Sequence, residues 1–85
     1  MRKSKKNPVG LDVKVVWLDP CGFGGWIEPA QAIQLEPAIC ESRGVCLAYD
    51  DNRIVVAGSK NNAGLVGDVT SIPTVLVKEV KVWVS

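Results

Sequence analysis

The sequence predicts an all-β fold, a small five-stranded SH3-like barrel, from three observations. The chain has 85 residues, which leaves room for one domain and one core. Valine is abundant, and residues that favour turns recur at short intervals. No stretch keeps apolar residues at helical spacing over three turns. We therefore expect residues 1–10 to form a basic flexible tail and residues 11–85 to form a single barrel domain.

Five strands are predicted, each bounded by residues that stop a strand. In chain order they are Val13–Asp19, Glu41–Tyr49, Arg53–Ser59, Asp68–Ile72 and Val77–Val84. Pro20 ends the first strand because proline cannot donate to a strand ladder. The second and third strands form a hairpin, because the Asp-Asp-Asn sequence at 50–52 tolerates the left-handed conformations of tight turns.

Strict alternation predicts which side chains share a face in two of these strands. In the second strand, Val45, Leu47 and Tyr49 should lie on one face and Cys46 and Ala48 on the other. In the last strand, one face should carry Val80, Val82 and Val84, and the other should carry Glu79, Lys81 and Trp83. Trp17 and Trp83, in the first and last strands, are expected to pack together.

The connections differ greatly in length. The long loop after the first strand spans Pro20–Ile39, and a loop of this length in a small domain is usually functional. Within it, Glu28 followed by Pro29 predicts one or two helical turns that end before Pro37. Residues 60–67 form a polar loop, and residues 73–75 fit one turn of 3₁₀ helix. This order matches an SH3-like barrel; an Sm-like barrel is the alternative, although residues 1–12 lack the apolar stripe of its N-terminal helix.

The composition argues against an enzyme. The chain has no histidine, the usual general base near neutral pH, and no base is identifiable for the three cysteines. It also has no Cys-x-x-Cys pair, so we expect no metal and no cofactor.

The basic start resembles that of a signal peptide, but residues 7–12 are not the apolar segment that should follow. No apolar run is long enough to span a membrane, so we expect a cytoplasmic protein.

The net charge of +1 hides an asymmetry. Four basic residues lie in the first six positions, where they could contact phosphates. From Asn7 onward, six Lys or Arg stand against nine Asp or Glu, so this part carries −3. A nucleic-acid footprint normally needs clustered basic residues on a folded face, so nucleic acid is possible but disfavoured as a partner.

A candidate ligand surface combines aromatic, glycine, arginine and amide side chains from the loops and strand ends. Its residues are Phe23, Gly24, Gly25, Trp26, Arg43, Arg53, Asn61 and Asn62. Exposed aromatics stack on bases or anchor protein contacts, and glycine backbone N–H groups can bind anions. Arginine can pair with a phosphate or carboxylate through two hydrogen bonds, and asparagine can present its amide to a base edge.

Several segments resemble small SH3-like proteins encoded by bacteriophages and prophages. They are Val15–Asp19, Gly25-Trp26, Glu41–Val45, Ile54–Ser59 and Ile72-Pro73 with the valine-rich last strand. The resemblance extends from Val13 to Trp83 and implies an accessory phage protein made in the bacterial cytoplasm. Phage proteins of this size often interfere with host defence, but no functional residues of the family can be transferred.

The leading hypothesis is therefore a non-enzymatic binding protein that blocks or sequesters a host component, acting as a homo-oligomer. The partner would be a nucleotide immune signal or a defence protein. The alternatives are an Sm-like nucleic-acid-binding protein that uses the basic tail, and a structural piece of a virion or an assembly adaptor.

Overall fold

The structure is a computed structural model that describes residues 7–20 and 24–83, and it confirms the all-β fold with five strands. The strands are β1 (Asp12–Asp19), β2 (Ala38–Tyr49), β3 (Arg53–Lys60), β4 (Val66–Pro73) and β5 (Val77–Val82). A single helical turn, α1 (Pro29–Ala32), lies between β1 and β2, and a 3₁₀ turn (Thr74–Leu76) precedes β5. In the described part of the chain no helix is long and apolar enough to cross a membrane.

All five strands belong to one antiparallel sheet in the order β4-β3-β2-β1-β5. β1 pairs with β2 on one side and with β5 on the other, so Val15 lies opposite both Ser42 and Val80. β4 and β5 are the two ends of this order, and the described residues form no ladder between them.

The core lies on one face of this sheet. Its fully buried side chains come from β1, β2, β3 and β4: Val13, Val15, Cys46, Ile54, Val56 and Ile72. Five partly buried side chains pack against them: Trp17 of β1, Tyr49 of β2, and Val77, Val80 and Val82 of β5. Strands lie about 4.8 Å apart, so in a flat sheet β4 and β5 would be separated by about 19 Å. Because both contribute to one cluster, the sheet must curve around it.

The predicted face assignment of β2 is wrong at its end. The pairing of β2 with β3 shifts between Cys46 and Ala48, which is a β-bulge at Leu47. Cys46 lies opposite Val56 and Tyr49 lies opposite Ile54, so Tyr49 shares the core face with Cys46 rather than a face with Leu47. The extra residue in the bulge shifts the alternation by one position.

β2 requires a glycine at position 44, where its backbone lies close to that of β3. Gly44 has a φ of +153°, and a Cβ added there would lie 2.1 Å from the carbonyl oxygen of Ala57. No side chain can be accommodated at that distance from a backbone atom. The absence of a side chain at Gly44 therefore allows β3 to approach β2 closely.

Two strands begin two or three residues earlier than predicted. β2 begins at Ala38, where it pairs with Asp19, and β4 begins at Val66, where it pairs with Lys60. The second difference follows from the short β3–β4 loop. Asn61 Oδ1 accepts hydrogen bonds from the backbone N–H groups of Ala63 and Leu65, which closes the loop within residues 61–65.

Candidate functional site

The predicted ligand residues that the structure describes lie in three parts of the fold: the connection after β1, the strands β2 and β3, and the β3–β4 loop. Phe23 lies outside the described residues. Gly24, Gly25 and Trp26 lie in the connection between β1 and β2, whose described residues 24–37 we call the arm. The other predicted residues lie in or beside the sheet. They are Arg43 in β2, Arg53 at the start of β3, and Asn61 and Asn62 in the β3–β4 loop.

The arm is exposed along almost its whole length. Of its 14 residues only Ile27 is partly covered. Trp26 is 101% exposed and Ile33 is 83% exposed. The turn α1 has Pro29 at its start and contains no buried residue, so it is held by its own backbone hydrogen bonds, such as that from Ala32 N–H to the Glu28 carbonyl. The prediction of a short helix here is confirmed, and it ends after one turn.

Arg53 is already paired within the β2–β3 turn. Its guanidinium forms an ion pair with Asp50. Asp50 Oδ1 also accepts hydrogen bonds from the backbone N–H groups of Asn52 and Arg53, at 2.8 and 2.9 Å. These backbone hydrogen bonds and then the guanidinium lower the pKa of the exposed Asp50 carboxyl. Arg53 therefore stabilises its own turn and has reduced capacity to bind a ligand.

Asn61 also serves its own loop. Its side-chain oxygen accepts two backbone hydrogen bonds, at 2.9 and 3.0 Å, and its backbone N–H donates to the carbonyl of Leu65. Asn62 is exposed at the tip of the same loop. The loop geometry thus explains Asn61 without a ligand.

Arg43 lies in a different setting, a row of three cations across the outer face of the sheet. Lys14 of β1 is directly opposite Arg43 of β2 on one side and Lys81 of β5 on the other. Their neighbours in sequence, such as Val13 and Val15, point into the core, so the three cations point away from it. Like charges that face each other across strands destabilise a sheet. We call Lys14, Arg43 and Lys81 the cation row.

An indole lies at the edge of the cation row. The Arg43 Cζ atom is 5.3 Å from the ring centroid of Trp83, and the Lys81 Nζ atom is 6.0 Å from it. Both distances are in the range of cation–π attraction. Trp83 is 46% exposed and is held beside β1 by a hydrogen bond from its backbone N–H to the Asp12 carbonyl.

The prediction that Trp17 and Trp83 pack together is wrong. Trp17 lies on the core face, where its Nε1–H donates to Ser42 Oγ at 3.0 Å. It pairs with Val77 at one end of the β1–β5 ladder, whereas Trp83 lies beyond Val82 at the other end. The two indoles are thus on opposite faces and at opposite ends of β1.

Acidic groups flank the cation row. Among the described residues the carboxylate within 4 Å of the row is that of Glu41, at 3.6 Å from Arg43 and 3.9 Å from Lys14. Both distances exceed that of a good hydrogen bond, so these are weak surface ion pairs. Within the described residues Lys81 has no carboxylate within 4 Å. Asp12 precedes Lys14 by two residues and Glu79 precedes Lys81 by two residues, which places these carboxylates on opposite sides of the row along the strands.

Lys14, Lys81 and Trp83 are not among the residues that the sequence singles out as a ligand surface. Strand alternation places Lys81 and Trp83 on one face of the last strand, and the structure supports this for Lys81, whose neighbours Val80 and Val82 pack on the core. Alternation within a strand does not predict how β1, β2 and β5 are aligned with one another. Only that register makes three cations from distant parts of the chain into neighbours.

The two cysteines in the described part of the chain, Cys40 and Cys46, are both free thiols. Cys46 is fully buried, and its thiol donates weakly to the carbonyl of Ala48. Burial raises the pKa of the Cys46 thiol, which keeps it neutral and unreactive. Cys40 is half-buried, and the residues that the structure describes contain no group of three His, Cys, Asp or Glu side chains able to hold a metal ion.

The described part of the surface has several shallow depressions, two of which bear on ligand binding. One, of about 300 Å³, is lined by Tyr49, Asp50, Asp51 and Thr74, so its charge is unfavourable for an anion. The other, of about 230 Å³, lies at the β3–β4 loop, and we call it the loop depression. Its lining includes Leu65 and Val66, which are 65% and 46% exposed.

Comparison with known proteins gives no relative from which a role could be transferred. The sequence matches no model of a protein family, and no curated protein or solved structure is significantly similar to it.

Proposed function

We propose that this chain is a non-enzymatic binding protein with an SH3-like barrel fold, and that it sequesters a small phosphate-bearing ligand such as a nucleotide signal. The long connection after β1 and the 3₁₀ turn before β5 support the SH3-like assignment. The described residues before β1 form turns rather than a helix, which favours it over the Sm-like alternative.

The cation row beside Trp83 carries this proposal. Among the described residues one carboxylate, that of Glu41, lies within 4 Å of Lys14 and Arg43, and none lies within 4 Å of Lys81, so the repulsion between the three cations is only partly offset and a bound anion would relieve it. Arg43 is 58% exposed and can form two hydrogen bonds with a phosphate. Trp83 adds an aromatic surface next to the cations, which suits a ligand with both a phosphate and a base.

The surrounding charges favour a compact ligand over a nucleic acid. The row spans three strands, or about 10 Å. Asp12, Glu41 and Glu79 limit its extent along the strands, so a longer polyanion would pass over carboxylates. The charge of −3 from Asn7 onward acts in the same direction.

The biological context rests on the resemblance to phage-encoded SH3-like proteins. In that setting the chain acts in the cytoplasm of the bacterial host and lowers the free concentration of an immune signal by binding it. Sequestration needs affinity and abundance but no catalytic group, which agrees with a sequence that lacks histidine.

The test is a binding panel with a matched pair of arginine variants. Cyclic dinucleotides, cyclic oligonucleotides, ADP-ribose and inorganic phosphate are titrated into the protein by calorimetry. Loss of one charge-assisted contact is worth about 1.5–3 kcal/mol, so Arg43→Gln should weaken binding by roughly 10- to 100-fold. Arg53→Gln is the control, because Arg53 is an exposed arginine of the same sheet that is already paired with Asp50.

Two results would contradict the proposal. One is a panel in which no phosphate-bearing compound binds to the wild-type protein. The other is binding that Arg43→Gln and Arg53→Gln weaken equally, since the cation row would then not be the site.

A further inference from the structure

We infer that the Glu41 carboxylate is an internal counterion of the cation row that a bound phosphate displaces, and that the site therefore accepts a terminal phosphate monoester in preference to a phosphodiester. The inference rests on the proposed function and deepens it. It names the class of phosphate that the ligand carries and the side chain that limits the affinity of the site.

The carboxylate of Glu41 bridges two cations of the row. One of its oxygens, Oε1, lies 3.6 Å from Nη2 of Arg43, and the other, Oε2, lies 3.9 Å from Nζ of Lys14. A phosphate also presents several oxygens from one centre, and arginine pairs with carboxylate and phosphate through the same planar set of donors. The two oxygens of Glu41 therefore mark where two oxygens of a bound phosphate would lie.

Glu41 is held loosely in this position. Charge-assisted hydrogen bonds between nitrogen and oxygen are about 2.7–2.9 Å long, and both contacts of the carboxylate are longer than that. The Glu41 side chain is also 52% exposed, and exposed ion pairs contribute little to stability. A ligand can therefore displace the carboxylate while the sheet stays intact.

Lys14 is the most covered cation of the row, since Arg43 and Lys81 are both exposed. Its side chain is 20% exposed, against 58% for that of Arg43. A charge that is partly removed from water gains more from a close anion than a fully hydrated one. Among the described residues, the carboxylate within 4 Å of Lys14 is that of Glu41, at 3.9 Å. Lys14 therefore favours an anion that can approach more closely.

The charge of the ligand decides how much the exchange gains. A phosphodiester carries one negative charge, so it replaces the carboxylate charge for charge. A terminal monoester carries about −1.5 to −2 near pH 7, so it brings charge that the carboxylate does not supply. Lys81, with no carboxylate within 4 Å among the described residues, can take up this additional charge. One further charge about 4 Å from a cation tightens binding by about 5-fold in water, and by more near a protein surface.

Glu79 provides a matched comparison for Glu41. Val16 of β1 lies opposite Glu41 on one side and opposite Glu79 on the other, so the two glutamates occupy equivalent positions beside the central strand. Both are exposed. In the part of the chain that the structure describes, Glu41 forms ion pairs with the row and Glu79 does not. Replacing either one by glutamine changes the net charge equally, but only Glu41→Gln removes the bridging carboxylate.

The experiment compares adenosine monophosphate (AMP) with cyclic AMP, a monoester and a diester with the same base. Stacking of adenine on Trp83 is common to both, so the ratio of their affinities isolates the phosphate. Both are titrated by calorimetry into the wild type, Glu41→Gln and Glu79→Gln near pH 7 in about 0.15 M salt, where the Debye length is about 8 Å.

The wild-type protein should bind AMP at least about 5-fold more tightly than cyclic AMP. Glu41→Gln should bind each compound about 5-fold more tightly than the wild type does, because no carboxylate has to be displaced. Glu79→Gln should change either affinity by less than about 2-fold, because salt screens its more distant charge. Circular dichroism establishes that both variants are folded.

Equal affinities of the wild type for AMP and cyclic AMP would overturn the inference. An unchanged affinity in Glu41→Gln, or equal tightening by Glu41→Gln and Glu79→Gln, would also overturn it. In each of these cases a phosphate-bearing ligand still binds, so the proposed function would stand. Absence of binding to all three proteins would overturn both, whereas binding to Glu41→Gln alone would support the role of Glu41 and contradict the proposed function.

Discussion

Gly44→Ala should destabilise the protein strongly, because the methyl group that it adds would meet the backbone of the neighbouring strand. A Cβ at this position would lie 2.1 Å from the Ala57 carbonyl oxygen and 2.7 Å from its carbonyl carbon. Both neighbours are backbone atoms of β3, so they cannot rotate away as a side chain could. β2 and β3 would have to separate where Val45 pairs with Ala57.

The expected loss follows from this geometry. Relieving the contact requires a backbone shift of about 1 Å, and forcing an extra methylene into a packed site costs typically 1–3 kcal/mol, occasionally more. We expect a loss of about 3 kcal/mol, against a total stability of roughly 4–13 kcal/mol for a chain of this length. The melting temperature should fall by about 12–24 °C, since 1 kcal/mol corresponds to 4–8 °C in a domain of this size.

Thermal and urea unfolding followed by circular dichroism provide the measurement. The control is Gly24→Ala, because a Cβ there meets no atom within 4 Å and the φ of Gly24 is outside the left-handed range. If Gly44→Ala melted within a few degrees of the wild type, the close approach of β2 and β3 would be refuted. Equal melting temperatures of the two variants would have the same consequence.

Two further predictions concern polar groups. Ser42→Ala removes the acceptor of the Trp17 Nε1–H and should lower the free energy of unfolding by about 1 kcal/mol. The control is Ser71→Ala, at an exposed position of β4, which should change it by less than about 0.5 kcal/mol. Equal losses for the two variants in urea unfolding would contradict a stabilising hydrogen bond at Ser42. The pKa of Asp50 is lowered in the folded state, so its stabilising effect is present above pH 3.8 and is lost as the pH falls through the folded-state pKa. Lowering the pH below 3.8 should therefore reduce the free energy of unfolding, measured with urea, more in the wild type than in Asp50→Asn. Parallel pH profiles of the two proteins would contradict this prediction.

The secondary structure can be predicted from the sequence to a large extent. Alternating valines, Pro20 and the Asp-Asp-Asn turn act over a few residues, so strands β1, β2 and β3 and their hairpin are visible without tertiary information. The errors arise where a local pattern is interrupted. The bulge at Leu47 moves Tyr49 to the core face, and no residue type in β2 predicts such a bulge.

The candidate sites can be predicted only in part. Trp26 stands out in the sequence because glycines precede it, and Arg43 because it lies near the start of a predicted strand. Arg53 and Asn61 stand out on similar grounds, yet their side chains stabilise their own turns. Local sequence indicates that a polar side chain lies near a turn, but it does not show whether its hydrogen bonds are already satisfied.

The sequence by itself determined an all-β chain with five strands, one long connection and no histidine. Only the tertiary structure decided that Lys14, Arg43 and Lys81 form one row and that Trp83 lies beside it rather than against Trp17. The reason is physical: strand formation depends on nearby residues, whereas register depends on the packing of the whole core. A shift of one residue in that register would separate the cation row, and it would also expose Val13 and Val15.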